Sequence, residues 1–139
     1  MEISANTVQA KVPVTILKLN GDLDASWYQD VIAKAKTLYD SGVRDLLIDM
    51  GNLRFMASSG LVALHSTALI MRGDQVPDTN ESWNTFRTDH VQIGPPSKYE
   101  IHCKLLSPQP RPLRTLELAG FDDLFEIFDD EEVAIASFG

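Results

Sequence analysis

The sequence of 139 residues predicts a single α/β domain in which a mixed β-sheet packs against about four helices. Short apolar runs that are typical of strands alternate with amphipathic stretches that are typical of helices. The order is βαβαβαβα after an N-terminal hairpin strand, and such alternation favours a mostly parallel sheet. A chain of this length buries one substantial core, so we expect one domain over residues 1–139.

Five segments have the composition of β-strands, because β-branched and apolar residues are concentrated in them. They are EISANTVQAK (2–11), VPVTILKLNG (12–21), VRDLLIDM (43–50), YEIHCKLL (99–106) and LFEIF (124–128). The first two form the predicted hairpin, and Gly21 is expected to end its second arm. The residues GNLRF (51–55), which follow the third strand, predict a turn.

Four segments have apolar residues at helical spacing. They are ASWYQDVIAKAKTLYDSG (25–42), SSGLVALHSTALIMRG (58–73), RPLRTLELAGF (111–121) and DDEEVAIASF (129–138). In the first of them Trp27 is expected on the apolar face, with Asp24 as the N-cap and Gly42 as the C-terminal stop. The acidic start of the last helix suits the positive end of the helix dipole.

The segment from residue 73 to 98 does not fit this alternation, because it lacks periodicity and is rich in turn-forming residues. Irregular segments of this length are uncommon in compact domains, so we expect an atypical insertion here. Trp83 and Phe86 lie three residues apart within it. These two aromatic side chains either anchor a partner or pack against their own domain.

The charge of the chain limits the class of partner. The formal net charge is -8 at pH 7, which disfavours binding to nucleic acid or to an anionic membrane. The N-terminal residues lack the pattern of a secretory signal and no apolar run is long enough to span a membrane, so we expect a cytoplasmic protein. The lone Cys103 lies in the apolar run IHCKLL and is expected to be a small core residue.

Two serines stand where the second helix is predicted to begin, in FMASSGLVAL (55–64). Ser58 and Ser59 follow a predicted parallel strand, so we expect them at the carboxyl edge of the sheet, where sites of α/β proteins gather. One interpretation is structural, because a serine hydroxyl at this position caps a helix. The other is functional, because the amide groups and dipole of a helix N-terminus favour a phosphate group.

Catalytic interpretations of the same region have weaker support. A serine nucleophile on a strained elbow needs G-x-S-x-G, and MASSGL lacks the first glycine. Asp22 and Asp24 are similar to the D-x-D pair of haloacid-dehalogenase-type phosphatases, but Ala25 and Ser26 replace the glycine and threonine that usually follow. With Asp49, the same pair would form the acidic pocket of a response-receiver phosphoacceptor. We expect neither a metal ion nor a cofactor.

Three stretches resemble the STAS domain of bacterial anti-sigma factor antagonists: VTILKLNGDLDAS, VRDLLIDMGNLRFMASSGLVAL and LELAGFDDLFEIFDDEEVAIASF. The shared signals are the L-x-G-x-L-D strand end, the strand followed by F-M-x-S-S-G-L, and a late G-(x)n-L-F. The resemblance covers nearly the whole chain except roughly residues 73–98. It implies a STAS-like α/β fold and a protein-binding switch rather than an enzyme.

The resemblance also implies the partners and the residues of the switch. Members of the family bind an anti-sigma factor, often a serine protein kinase, which phosphorylates the first serine of S-S-G, and a PP2C-type phosphatase removes the phosphate. By position the phosphorylated residue is Ser58, with Ser59 as the alternative. The partner-binding residues that the resemblance implies are Asp24, Ser58, Ser59, Gly60 and Val62.

One residue departs from the family pattern. Aspartate usually precedes the two serines, and Ala57 stands there in this chain. A STAS scaffold protein that is not phosphorylated is therefore the alternative to a phosphorylated switch. In either case we expect the docking face to comprise the loop around Asp24 and an exposed start of the helix, Ser58 to Val62.

Overall fold

The computed structural model describes residues 1–73 and 99–139, which form five strands and four helices. The strands are β1 (Glu2–Gln9), β2 (Pro13–Leu23), β3 (Leu46–Met56), β4 (Cys103–Leu106) and β5 (Ile127–Phe128). The helices are α1 (Tyr28–Asp40), α2 (Ser58–Met71), α3 (Pro110–Leu118) and α4 (Glu131–Ala136). The predicted order of elements and the mixed α/β class are confirmed. Apart from Gly73, the predicted insertion, with Trp83 and Phe86, lies outside the described residues.

The strands form one sheet in the order β1-β2-β3-β4-β5. β1 pairs antiparallel with β2 as the predicted hairpin, and the remaining neighbours pair in parallel. The hairpin register is regular, from Glu2 opposite Asn20 to Gln9 opposite Pro13. Because β2 and β3 run parallel, their carboxyl ends lie at one edge of the sheet, and each leads there into a helix.

Side chains on the two faces of the sheet form two apolar clusters, because successive strand residues point to opposite faces. The larger cluster lies under α1, α2 and α3 and takes Leu17 and Leu19 from β2 and Ile48 from β3. The smaller cluster lies on the other face beneath α4. It contains Val14, Ile16, Leu47, Leu106, Ala134 and Phe138. Three helices therefore cover one face, and the short α4 covers part of the other.

Cys103 begins β4 and is fully buried in the larger cluster, as predicted for a core residue. Burial raises the pKa of its thiol, and the negative charge of Glu100 adds to that effect. A thiol with a raised pKa forms little thiolate, so Cys103 is chemically inert in the folded protein.

The residues GNLRF, predicted as a turn, belong to the second half of β3, and that prediction is wrong. The strand continues beside β2, with Asn52 opposite Asn20 and Phe55 opposite Asp22. Two register shifts interrupt this pairing, so the alternation of apolar and polar residues is broken. Gly21 does not end β2 either: its φ of 108° accommodates the irregularity, and the strand continues to Leu23.

The first helix also differs from its predicted bounds. It begins at Tyr28, three residues later than the segment assigned to it, and Trp27 is 37% exposed rather than packed on the apolar face. Its end is as predicted: Gly42 has a φ of 111°, and its N–H donates to the carbonyl oxygen of Tyr39. Within the described part of the chain, no helix is long and apolar enough to cross a membrane.

Candidate functional site

The carboxyl ends of β2 and β3 form the candidate site, and a backbone hydrogen bond joins them. The carbonyl oxygen of Leu23, the last residue of β2, accepts from the N–H of Ala57 at 2.9 Å. Ala57 is extended, with a ψ of 172°, and immediately precedes α2. The loop that contains Asp24 is therefore held beside the first turn of the serine helix.

The two serines of this turn lie in opposite environments. Ser58 is the first residue of α2, and its side chain is exposed. Ser59 is 8% exposed, and its Oγ is buried without a hydrogen-bond partner. The hydroxyl of Ser58 is therefore accessible to solvent, and the hydroxyl of Ser59 is not.

Neither serine caps the helix, so the predicted serine cap is wrong. The N-cap position belongs to Ala57, which has no side-chain oxygen to accept from the first amide groups. Ser58 is already inside the helix, one residue too late for the cap position. The first amide groups of an α-helix have no acceptor inside it. In α2 the N–H of Gly60 donates to the carbonyl oxygen of Ala57 at 2.8 Å, and the N-cap side chain accepts from none of the first amide groups.

The residues that follow the serines are buried, contrary to the expected exposure from Ser58 to Val62. Val62 is 1% exposed. Gly60 packs so closely that a Cβ there would overlap Met56 Cγ and lie 3.2 Å from Leu23 Cγ and Cδ2. The glycine of S-S-G therefore allows α2 to approach the ends of both strands. Within this turn, only Ser58 is open to a partner without rearrangement.

Asp24 belongs to a turn and does not cap the first helix, which corrects the prediction. Its Oδ1 accepts from the N–H of Ser26 at 2.9 Å, and its carbonyl oxygen accepts from Trp27 and Tyr28. The N-cap of α1 is Trp27, which makes no side-chain hydrogen bond to the helix. Asp24 therefore fixes the shape of the loop beside the serine helix.

The aspartates considered for catalysis do not form one pocket. Asp22 lies within β2, and its Oδ1 is 3.5 Å from Arg54 Nε. Asp49 lies opposite Lys18, four residues before Asp22 on the strand, a separation of about 13 Å. Asp49 also accepts from the N–H of Gly51 at 2.9 Å. The acidic pocket expected for a response-receiver phosphoacceptor is therefore absent.

Metal binding has no support in the described ranges, 1–73 and 99–139. No group of three histidine, cysteine, aspartate or glutamate side chains is placed there to hold an ion. The exposed ion pair between Asp22 and Arg54 is a surface contact of small energetic value. The polar groups described at this edge include the hydroxyls of Ser58 and Ser26, the Asp22–Arg54 ion pair and backbone amide groups.

Two aromatic side chains near these strand ends are exposed, and neither was predicted as a candidate site residue. Phe55 is 41% exposed, and it was assigned to a turn because the strand pattern breaks before it. Trp27 in the loop after β2 was placed on the buried face of α1 by its spacing, yet it is also exposed. The exposure of Phe55 follows from strand alternation: Met56 beside it belongs to the core, and neighbouring strand residues face opposite sides. Assigning FM to the strand would therefore have predicted an exposed Phe55.

The chain is similar to solved structures of anti-sigma factor antagonists. An anti-sigma factor antagonist from Mycobacterium paratuberculosis has 16% identity and a TM-score of 0.64, over 98% of this chain and 93% of that chain. The Bacillus cell fate determinant SpoIIAA in its phosphorylated form has 18% identity and a TM-score of 0.59, over 96% of both chains. Its unphosphorylated form has 20% identity and a TM-score of 0.54, over 96% of this chain and 94% of that chain.

A scan against family models finds no match, and no curated protein sequence matches either. The similarity is therefore one of three-dimensional structure at low sequence identity. It extends over nearly the whole chain in each comparison. The hairpin, the mixed sheet and the helices on its faces place this chain in the STAS fold, the fold of the anti-sigma factor antagonists.

Proposed function

We propose that this chain is a protein-binding switch of the anti-sigma factor antagonist type, and not an enzyme. Its partner is an anti-sigma factor that is also a serine protein kinase, and phosphorylation of Ser58 ends the binding. A PP2C-type phosphatase reverses the modification, and the cycle takes place in the cytoplasm. The observation that carries the proposal is the contrast between Ser58, exposed at the start of α2, and Ser59, buried beside it.

A kinase needs a hydroxyl that enters its active site, and only Ser58 offers one without unfolding the turn. The Oγ of Ser59 is covered by neighbouring atoms of the domain. Phosphorylation of Ser59 would place a double negative charge in an apolar environment, which is strongly unfavourable. The structural similarity to SpoIIAA, which is known in phosphorylated and unphosphorylated forms, supports a phosphorylated switch.

The start of α2 is suited to hold a phosphate without loss of the fold. The first amide groups of a helix lack internal acceptors, and the dipole there favours negative charge. The first turn of α2 contains no acidic residue that would oppose the added charge. We therefore expect phosphorylated Ser58 to leave the domain folded, so that the modification acts on binding alone.

The same phosphate would oppose docking. A partner that covers the edge between Asp24 and Ser58 must remove water from a group with about −1.5 to −2 charges. Asp24 is half-buried next to this edge and contributes like charge. A loss of about 3 kcal/mol in binding free energy corresponds to more than about a hundredfold in affinity. This is sufficient for an on–off switch.

The apolar part of the docking face comes from the two exposed aromatic residues. Trp27 and Phe55 stand on the segments that flank the Leu23–Ala57 hydrogen bond. Exposed tryptophan and other aromatic side chains supply much of the energy of protein interfaces when a partner covers them. A docking face that wraps the carboxyl ends of β2 and β3, with Trp27 and Ser58 on the side of α1 and α2 and Phe55 on the opposite face of the sheet, fits a protein partner better than a small ligand.

The proposal is tested by capture of partners from the native cell, followed by phosphorylation with the captured kinase and ATP. Mass spectrometry should find phosphate on Ser58, absent in Ser58→Ala and retained in Ser59→Ala. Phosphate that survives Ser58→Ala contradicts the assignment. If an active kinase binds but leaves no phosphate, the chain is instead a STAS scaffold that is not phosphorylated, the alternative that Ala57 favours.

A further inference from the structure

The two outermost strands of the sheet, β5 and β1, differ in their protection against pairing with another chain. β5 has two residues and is followed by an acidic run. The run consists of Asp129, Asp130, Glu131 and Glu132. β1, at the other edge, has eight residues, of which only Glu2 is ionisable, and it contains neither proline nor lysine. Natural proteins shorten, charge or bend an edge strand to prevent association, and β1 has none of these features beyond Glu2 at its first position.

The outer side of β1 is also regular and open among the described residues. All eight of its residues pair with β2 in one regular register, whereas the pairing of β2 with β3 shifts twice. The four central residues, 4–7, are all exposed, although they alternate between the two faces. In the described part of the chain β2 is the only strand that pairs with β1, so half of its backbone groups face outward.

We propose that β1 pairs with β1 of a second copy of this chain, antiparallel about a two-fold axis, so that the two sheets become continuous. An edge strand is complementary to itself in this arrangement, because the axis exchanges the donors and acceptors of the two copies. The charges select the antiparallel direction. It brings Glu2 towards the exposed Lys11 of the partner subunit, whereas a parallel pair would place the two copies of Glu2 side by side.

This dimer is compatible with the proposed switch and does not depend on it. A two-fold axis perpendicular to the sheet reverses the direction of every strand. The carboxyl ends of β2 and β3, and with them Ser58, therefore point to opposite ends of the dimer. Both docking faces stay open, so one dimer would bind two partners without steric conflict.

The test is sedimentation equilibrium of the full chain from about 10 μM to about 1 mM. The wild type should form a dimer, and the double variant Ala5→Lys/Asn6→Lys should weaken it at least about tenfold, because like charges meet near the axis. Both positions are exposed at the centre of β1. The control Ala33→Lys/Thr37→Lys adds the same charge at exposed positions of α1 and should leave the dimer unchanged.

Hydrogen exchange of the wild type provides a readout that needs no variant. Protection of the β1 amides should rise with protein concentration, while the amides of α1 stay constant. A wild type that remains monomeric over the whole range overturns the proposal. So does a dimer that the β1 variant leaves intact, or that the α1 control weakens equally. Concentration-independent exchange in β1 would likewise exclude this edge, whatever the variants do.

Discussion

The backbone N–H of Ala57 donates to the carbonyl oxygen of Leu23 across 2.9 Å, and this bond fixes the distance between two segments that are far apart in sequence. One segment is the loop with Asp24 and Trp27, and the other is the start of α2 with Ser58. Because the bond is made by main-chain atoms, it persists when side chains at the edge are changed. Substitutions of exposed side chains at this edge, such as that of Ser58, therefore test recognition while this bond is kept.

The first prediction concerns the stability of the two serine positions. Ser58→Asp should leave the free energy of unfolding nearly unchanged, because an exposed carboxylate in the first turn suits the helix dipole. Ser59→Asp should lower it by more than about 2 kcal/mol, since it buries a charge in a site without a partner. Urea denaturation measures both. Equal stability of the two variants would mean that Ser59 is accessible, and the structural basis for choosing Ser58 would fail.

The second prediction concerns affinity for the partner that the proposed switch binds. Ser58→Asp should weaken binding at least about tenfold, or about 1.4 kcal/mol, because the partner must desolvate a carboxylate beside Asp24. Ala33→Asp adds the same charge at an exposed position of α1 and serves as the matched control. Calorimetric titration should show unchanged binding for the control. Undiminished binding by Ser58→Asp would reject the proposed docking face.

The third prediction concerns the missing cap of α2. Ala57→Asp should stabilise the domain by about 1 kcal/mol, because aspartate at the N-cap accepts from the first amide groups. The chain contains an internal reference: Asp130 caps α4 and accepts from the N–H of Val133 at 3.1 Å. Asp130→Ala should therefore destabilise by a similar amount. Thermal and urea unfolding measure the change in the free energy of unfolding for both variants. A destabilised Ala57→Asp would show that a longer side chain at position 57 obstructs the turn.

Regular, well-separated elements were predictable from the sequence, and irregular ones were not. Gly42 ends α1 as expected, because a glycine after an amphipathic stretch has one common structural role. GNLRF was mistaken for a turn because its glycine and polar residues break the strand pattern, and β3 accommodates them where its register with β2 shifts. The pairing of β3 with β2, a long-range contact, determines that residues 51–55 form a strand.

The sequence predicted where in the fold the candidate site residues lie, but not the burial and hydrogen bonds of each side chain. Asp24, Ser58 and Ser59 were expected at one edge, and the parallel strands bring them there. Their hydrogen bonds depend on where a helix begins to within one residue, and the sequence pattern does not resolve that. Val62 is buried because α2 is covered on nearly all sides, with every residue from Ser59 to Met71 except His65 buried. Phe55 is exposed because it lies on the strand face opposite to Met56.

The fourth prediction concerns the glycine after the serines. Gly60→Ala should destabilise the domain by about 1–3 kcal/mol, because the added methyl group would overlap Met56 and press on Leu23. The helix itself would favour alanine, so a loss of stability isolates the packing effect. Gly51→Ala is a suitable comparison, since its Cβ would find side-chain atoms only at 3.2 Å and beyond. Urea denaturation that shows a stabilised Gly60→Ala would contradict the close approach of α2.

The last prediction separates the aromatic anchors from the switch. Trp27→Ala and Phe55→Ala should each weaken partner binding at least about tenfold, because exposed aromatic side chains at the centre of an interface carry much of its energy. Leu118→Ala is the control: Leu118 is 76% exposed on α3, outside the proposed face, and its truncation should leave affinity unchanged. Circular dichroism verifies that all three variants remain folded. Ser58→Ala, in contrast, should bind normally and resist phosphorylation, since it removes the acceptor hydroxyl without adding charge. Full affinity in both aromatic variants would place the partner elsewhere on the molecule, even if Ser58 is the phosphorylated residue.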